Sequence, residues 1–86
     1  MAFDVQLSDL AKADCRAWKK TDPAVLRKIQ ELILAIKEDP FHGLGHPERL
    51  KYVKDGYSRR ISHGHRIVYT VKGNLAYVVR CYGHYD

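Results

Sequence analysis

Residues 57–69 read YSRRISHGHRIVY. Apolar and polar residues alternate over 57–61 and again over 66–69, with β-branched and aromatic side chains at the apolar places. Alternation of this kind specifies half-buried strands. The connection through Ser62, His63, Gly64 and His65 is short, polar and contains glycine, so the two strands form a hairpin. Arg59 and Arg60 are consecutive, so they point to opposite faces of the sheet. At least one of them leaves the core, because a guanidinium is costly to bury without a partner. Both therefore need either a solvated face or an anion, and a planar fork of donors suits phosphate.

The rest of the chain supplies partners for that hairpin. Residues 3–7 alternate as a strand does. Ser8 is placed as an N-cap with Asp9 in the first helical turn. Leu10, Ala13, Asp14, Ala17 and Trp18 fall at helical spacing, beside a second stripe of Ala11, Cys15 and Trp18; the Ala-rich side is expected to be buried, with Trp18 as its anchor. Asp22 and Pro23 begin a second helix, Asp22 as cap and Pro23 at the first position. Val25, Leu26, Ile29, Leu32, Ile33 and Ile36 form its apolar stripe. The link is so short that the two helices form an αα-hairpin. Residues 41–47 are a loop by their glycines and proline. Residues 48–53 read as a strand with Leu50 and Tyr52 on one face and Arg49 and Lys51 on the other. After the hairpin, Gly73 and Asn74 turn the chain into a last strand over 75–82. That strand has Leu75, Tyr77, Val79 and Cys81 on one face and Ala76, Val78, Arg80 and Tyr82 on the other. Both faces are largely apolar, so it is interior. The expected fold is α+β: an N-terminal strand, an αα-hairpin, then a mainly antiparallel sheet of about four further strands, with the helices on one face.

At 86 residues, the chain is read as one domain spanning 1–86. Cys15 and Cys81 are too few for a disulfide scaffold and lack zinc-type spacing, so they are expected to be buried thiols. The N-terminus does not read as a signal peptide, and no apolar run approaches membrane-spanning length. A soluble, cytoplasmic protein with no membrane role is the expectation. The formal net charge is +5, and residues 1–41 are balanced, with seven basic and seven acidic side chains. The whole excess lies in residues 42–86, with eight basic and three acidic side chains. Such asymmetry fits either a polyanionic partner for one face or a solvated charged surface.

The second half also carries the residue types that cleave RNA through its own 2′-hydroxyl. A base takes the 2′ proton, an acid protonates the leaving 5′ oxygen, and cations hold the charge growing on phosphorus. Glu48, His84, Arg59, Arg60 and Arg66 supply these types. Tyr82 and Tyr85 can stack exposed bases. Arg49, Lys51, Arg59, Arg60 and Tyr82 form the candidate RNA-contacting set. Bland readings stand beside these: Glu48 as a neutraliser of nearby cations, Arg66 as a structural ion pair, His84 as a terminal residue without a role. His63 and His65 lie in the turn and are expected to face solvent. They do not read as a metal pair, and neither do His42 and His46. A carboxylate among arginines is expected to have a lowered pKa, which weakens Glu48 as a base and favours an orienting role.

Pro47-Glu48, Leu50-Lys51, the SRRI run at 58–61, the HRIVY run at 65–69 and the His84-Tyr85 ending together resemble the YoeB/Txe branch of RelE-type toxins. The likeness runs almost end to end and includes the Asp22 helix start and the loop from Asp39 to Gly45. It implies a RelE-like microbial RNase fold and a ribosome-dependent endoribonuclease that cuts mRNA in the ribosomal A site without a metal or other cofactor. It also implies a YefM-like antitoxin partner and a homodimer. By matching positions, Glu48 is the general base and His84 the general acid. Arg66 stabilises the phosphorane, and Lys51, Arg60 and Tyr85 support or position the RNA. Leu44, His46 and Tyr82 depart from residues common at these places in the family. Two other classes stay open on the sequence: a non-catalytic toxin of the same fold that binds a protein target, and a plain RNA-binding module.

Overall fold

In the computed structural model, which describes residues 2–83, seven elements follow in order. They are β1 (Asp4–Leu7), α1 (Asp9–Thr21), α2 (Pro23–Glu38), β2 (Glu48–Arg49), β3 (Gly56–Ser62), β4 (His65–Lys72) and β5 (Leu75–Arg80). The α+β expectation holds. One five-stranded sheet has the order β1-β5-β4-β3-β2. β1 pairs with β5 in parallel, and the other pairs are antiparallel. β5 is therefore interior, as its two apolar faces require.

Ser8 joins strand to helix as expected. Its Oγ accepts the Ala11 N–H at 3.0 Å and donates to the Val79 carbonyl at 2.6 Å, so the cap of α1 is also a tie to β5. The link between the helices is Asp22 alone, and Pro23 starts α2. The Asp22 side chain makes no cap hydrogen bond; its carbonyl accepts from Val25 N instead. Ile29, Leu32 and Ile36 of α2 are fully buried, each contributing about 2 kcal/mol of apolar transfer. They pack with Ala11, Ile61, Ile67, Tyr69, Val71, Ala76, Val78 and Cys81 in one core. On α1 the core-facing stripe is buried Ala11 with half-buried Cys15 and Trp18, while Ala13 and Ala17 are exposed and Leu10 is 58% exposed. The expected burial of the Ala-rich side is thus corrected. The narrower stripe faces β5 because Ser8 is bonded to Val79 and Asp14 to Arg80 of that strand, which fixes the helix rotation.

Two further strand expectations change. The strand over 48–53 is only Glu48–Arg49, and residues 51–55 curl away. Alternation stops with pairing, so Leu50 is buried while Tyr52 is 90% exposed. In β5, Val68 pairs with Arg80 and Tyr69 with Val78, leaving Val79 as an extra residue. A bulge of this kind shifts side-chain alternation. Cys81 is accordingly buried with Ala76 and Val78 rather than sharing a face with Tyr77, which is 40% exposed.

Arg59 is fully buried on the helix side of β3. Its Nε donates to Tyr69 Oη, Nη1 to the Leu44 carbonyl, and Nη2 to the carbonyls of Asp39 and His42. Tyr69 Oη in turn donates to the Pro40 carbonyl at 2.6 Å. These carbonyls belong to the C-terminal end of α2 and the loop after it, where orphan acceptors and the partial negative charge of a helix end gather. A buried cation is tolerated there because it satisfies several oxygens at once. Arg59 is therefore removed from the RNA-contacting set: it has no solvent exposure, and its donors are taken by the loop. The loop glycines serve this packing. At Gly45, φ is +83°, and an added Cβ would lie 2.8 Å from Leu32 Cδ2 and 3.1 Å from the Arg60 carbonyl oxygen.

Burial pushes the Cys81 thiol well above its ordinary range and raises the Tyr69 hydroxyl. Both must stay neutral in the folded protein. Stability is fully kept below the ordinary thiol value of about 8.5 and is lost as pH rises through the ordinary phenol value of about 10 toward the folded-state values. The urea midpoint is expected to fall between pH 8 and pH 10.5, and by less in Cys81→Ala. A midpoint that holds steady over that range in the parent chain would contradict the burial argument.

Candidate active site

Arg59, Ile61, Ile67 and Tyr69 point toward the helices, so the intervening Ser58, Arg60, Arg66 and Val68 belong to the other face of the sheet. Register then assembles a site there. Glu48 lies opposite Ser58, and Arg60 lies opposite Arg66. Arg66 is nearly buried, with its Nε donating to Ser58 Oγ at 2.9 Å and Nη2 to the Ser58 carbonyl at 3.4 Å. The same Nη2 stands 3.8 Å from Glu48 Oε1. Glu48 is 68% exposed, so this pair is long and screened by water, and the carboxylate can turn to another partner. Arg60 is exposed, and two guanidinium groups directly opposite repel unless an anion lies between them. They line, with His63 and Gly64, a surface depression of about 430 Å³. The arrangement of one buried, hydrogen-bonded cation beside one exposed cation suits an anion, with the exposed Glu48 carboxylate next to it.

The other expected residues are distributed around it. Arg49 and Lys51 are exposed next to Glu48, and the Arg49 guanidinium lies 5.8 Å from the Tyr57 ring centre. Of the eight basic residues after Phe41, the five exposed ones are Arg49, Lys51, Lys54, Arg60 and Lys72. Tyr82 is 51% exposed, with its ring 5.6 Å from Trp18 and 4.8 Å from His65. His84 and Tyr85 lie outside the described residues. Among the described residues, no cluster of three or more His, Cys, Asp or Glu side chains could hold a metal ion.

His65 corrects an expectation: it is not a solvent-facing turn residue. It begins β4, half-buried, with its ring edge-on to Trp18 at 4.9 Å. Its Nδ1 accepts the Gly83 N–H at 3.0 Å. Sequence reasoning also passed over Ser58 and Asp14. Ser58 holds Arg66, and its place two residues from Arg60 on one strand was the available signal. Asp14 accepts from Arg80 Nε and Nη2 and from Cys81 N, at 2.9, 3.0 and 2.9 Å.

The geometry can be compared with known proteins. The family described as "YoeB-like toxin of bacterial type II toxin-antitoxin system" matches residues 8–85. The chain belongs to this family. A YoeB toxin of Synechocystis is 39% identical over 83 residues, which cover 95% of this chain and 96% of the relative. The YoeB dimer from Staphylococcus aureus superposes with a TM-score of 0.88 at 36% identity, covering 99% of this chain and 100% of that one. The toxin of the heterotetrameric YoeB–YefM complex from the same organism gives 0.82 at 35% identity, with the same coverage. As a YoeB-like toxin, the chain places two of its sheet-borne candidates, Glu48 and Arg66, within 4 Å of each other across β3.

Proposed function

We propose that this YoeB-like toxin is a ribosome-dependent endoribonuclease that cuts mRNA in the A site and so inhibits translation. The observation that carries the reading is the Glu48–Arg66 contact on the face away from the helices, with Arg60 opposite Arg66. In this reading the scissile phosphate sits between the two arginines. Arg66, fixed by Ser58, meets the charge that builds on the phosphoryl oxygens. Glu48 takes, or orients, the 2′-hydroxyl proton, and its exposure lets it reach a substrate group. His84 protonates the leaving 5′ oxygen. Lys51, Arg60 and Tyr85 position the RNA, joined by Arg49 and by the exposed edge of Tyr82. The base, the acid and the charge all come from side chains. A shallow depression does not by itself align a substrate, which favours a ribosome-bound mRNA over free RNA. An acidic YefM-like antitoxin is the proposed partner and a homodimer the proposed assembly, supported by the Staphylococcus aureus complex and dimer.

Primer extension on mRNA from translating extracts tests the reading. New 5′ ends at A-site codons are expected with the parent chain. Glu48→Gln and His84→Ala are expected to cut at least roughly 10²-fold more slowly while keeping the parent melting curve. Translation arrest without new 5′ ends would point instead to a protein target and overturn the nuclease reading.

A further inference from the structure

The chain leaves β5 through a set of fixed peptide groups. Asp14 of α1 accepts the Cys81 N–H at 2.9 Å. Trp18 Nε1 donates to the Cys81 carbonyl at 2.8 Å. Two residues later, Arg66 N–H donates to the Gly83 carbonyl at 2.9 Å, and His65 Nδ1 accepts the Gly83 N–H at 3.0 Å. Both polar groups of Gly83 are therefore held by the first two residues of β4. One of those residues, Arg66, carries the guanidinium of the candidate site. Gly83 precedes His84 in the chain, so these bonds fix the backbone one peptide link before the proposed general acid.

We infer that His65 is a positioning residue for catalysis: its ring nitrogen locks Gly83 against β4 and thereby sets where His84 starts relative to Arg66. This inference rests on the nuclease reading and deepens it. An N–H must donate to Nδ1, so the ring carries its proton on Nε2. The ring is held in that orientation between Trp18, at 4.9 Å, and Tyr82, at 4.8 Å. Gly83 has φ of +88°. A residue there without these anchors has many backbone states available to it. His65 removes that freedom at Gly83. The side chain touches neither Glu48 nor the guanidinium of Arg66 among the described contacts, so its effect on the reaction passes through the backbone.

Two substitutions separate the acceptor from the ring. His65→Phe keeps an aromatic between Trp18 and Tyr82 but removes the acceptor. His65→Asn loses the ring but offers Oδ1 near the place of Nδ1. Amide exchange at Gly83, the imidazole nitrogen shifts of His65, and the kcat and KM of ribosome-bound cleavage are the readouts. The parent chain is expected to show a protected Gly83 amide and an Nε2-protonated ring. His65→Phe is expected to lose the protection and about 10²-fold in kcat, with KM unchanged, as a misplacement of about 1 Å can cause. His65→Asn is expected to keep the protection and to stay within about tenfold of the parent in kcat. A His65→Phe chain with Gly83 still protected and kcat within twofold would overturn the inference. So would His65→Asn failing as badly as His65→Phe, because the ring rather than the acceptor would then matter. If the parent chain cleaves nothing, the nuclease reading falls and takes the catalytic half of the inference with it. Gly83 exchange in the two variants then still decides whether His65 holds the tail.

Discussion

Replacing Arg59 with methionine is expected to destabilise the fold by about 3–5 kcal/mol, although no charged partner is lost. Arg59 holds Asp39, His42 and Leu44 through their carbonyl oxygens, and it orients the Tyr69 hydroxyl that holds Pro40. Methionine fills much of the volume but offers no donor. The loop carbonyls would face the core unpaired, at about 1–3 kcal/mol for each one that water does not reach. A domain of this size has a total stability of roughly 4–13 kcal/mol, so the loss is a large share of it. Lysine in the same place keeps the charge but reaches fewer oxygens and is expected to recover only a minority of the loss. Urea denaturation of the two variants measures this. A loss under about 1 kcal/mol for Arg59→Met would mean that the loop stands without its guanidinium. Because the loop leads into Glu48, cleavage should fall with the fraction folded and not before it.

Arg66→Lys is expected to show the opposite separation: a fold that stays near the parent stability and a cleavage rate about 10²–10³-fold lower. Ser58 fixes the guanidinium at two points, through its hydroxyl and its carbonyl, and leaves the fork pointed toward Glu48 and Arg60. A lysine ammonium delivers the same charge without the planar pair of donors that a phosphoryl group requires in flight. Single-turnover cleavage on programmed ribosomes, beside a melting curve, reads both quantities. A lysine variant that cleaves within about threefold of the parent would show that charge alone suffices, and Arg66 would then be a counterion for Glu48.

The element order and the helix boundaries were legible because they rest on local chemistry: Ser8 at a cap, Pro23 at a first turn, glycines at turns. The sheet face of each strand was legible in parity only. Alternation puts Arg59 on the face of Tyr57 and Ile61 and Arg60 on the other, but nothing within the strand says how a guanidinium could be accommodated in the core. That is decided by carbonyls at the end of α2 and in the loop after it, fifteen to twenty residues away. Parity also fails silently at a bulge, which is why Cys81 was assigned to the wrong face of β5. The length of β2 was overread because residues 48–53 alternate well, yet the register leaves β3 only two partners there. Of the candidate site, Glu48, Arg60 and Arg66 were read from residue type and motif. Ser58 and His65 were not, because a serine or a histidine announces its role only through the atom it faces.

The parallel edge has a bearing on when the molecule becomes itself during synthesis. Ser8 bonds Val79 across 71 positions, and among the described residues β1 pairs only with β5. The two helices between them bury their stripes on a surface that β3, β4 and β5 have yet to make. Neither helix has a core to lean on while the ribosome is still producing the chain, and closing so long a loop sets the folding time more than helix formation does. The sheet is thus expected to close late, and the face bearing Glu48 and Arg66 to form only with it. A chain proposed to act on ribosomes would be harmless to the one that is making it, and a partner that meets it early would meet an unfinished sheet.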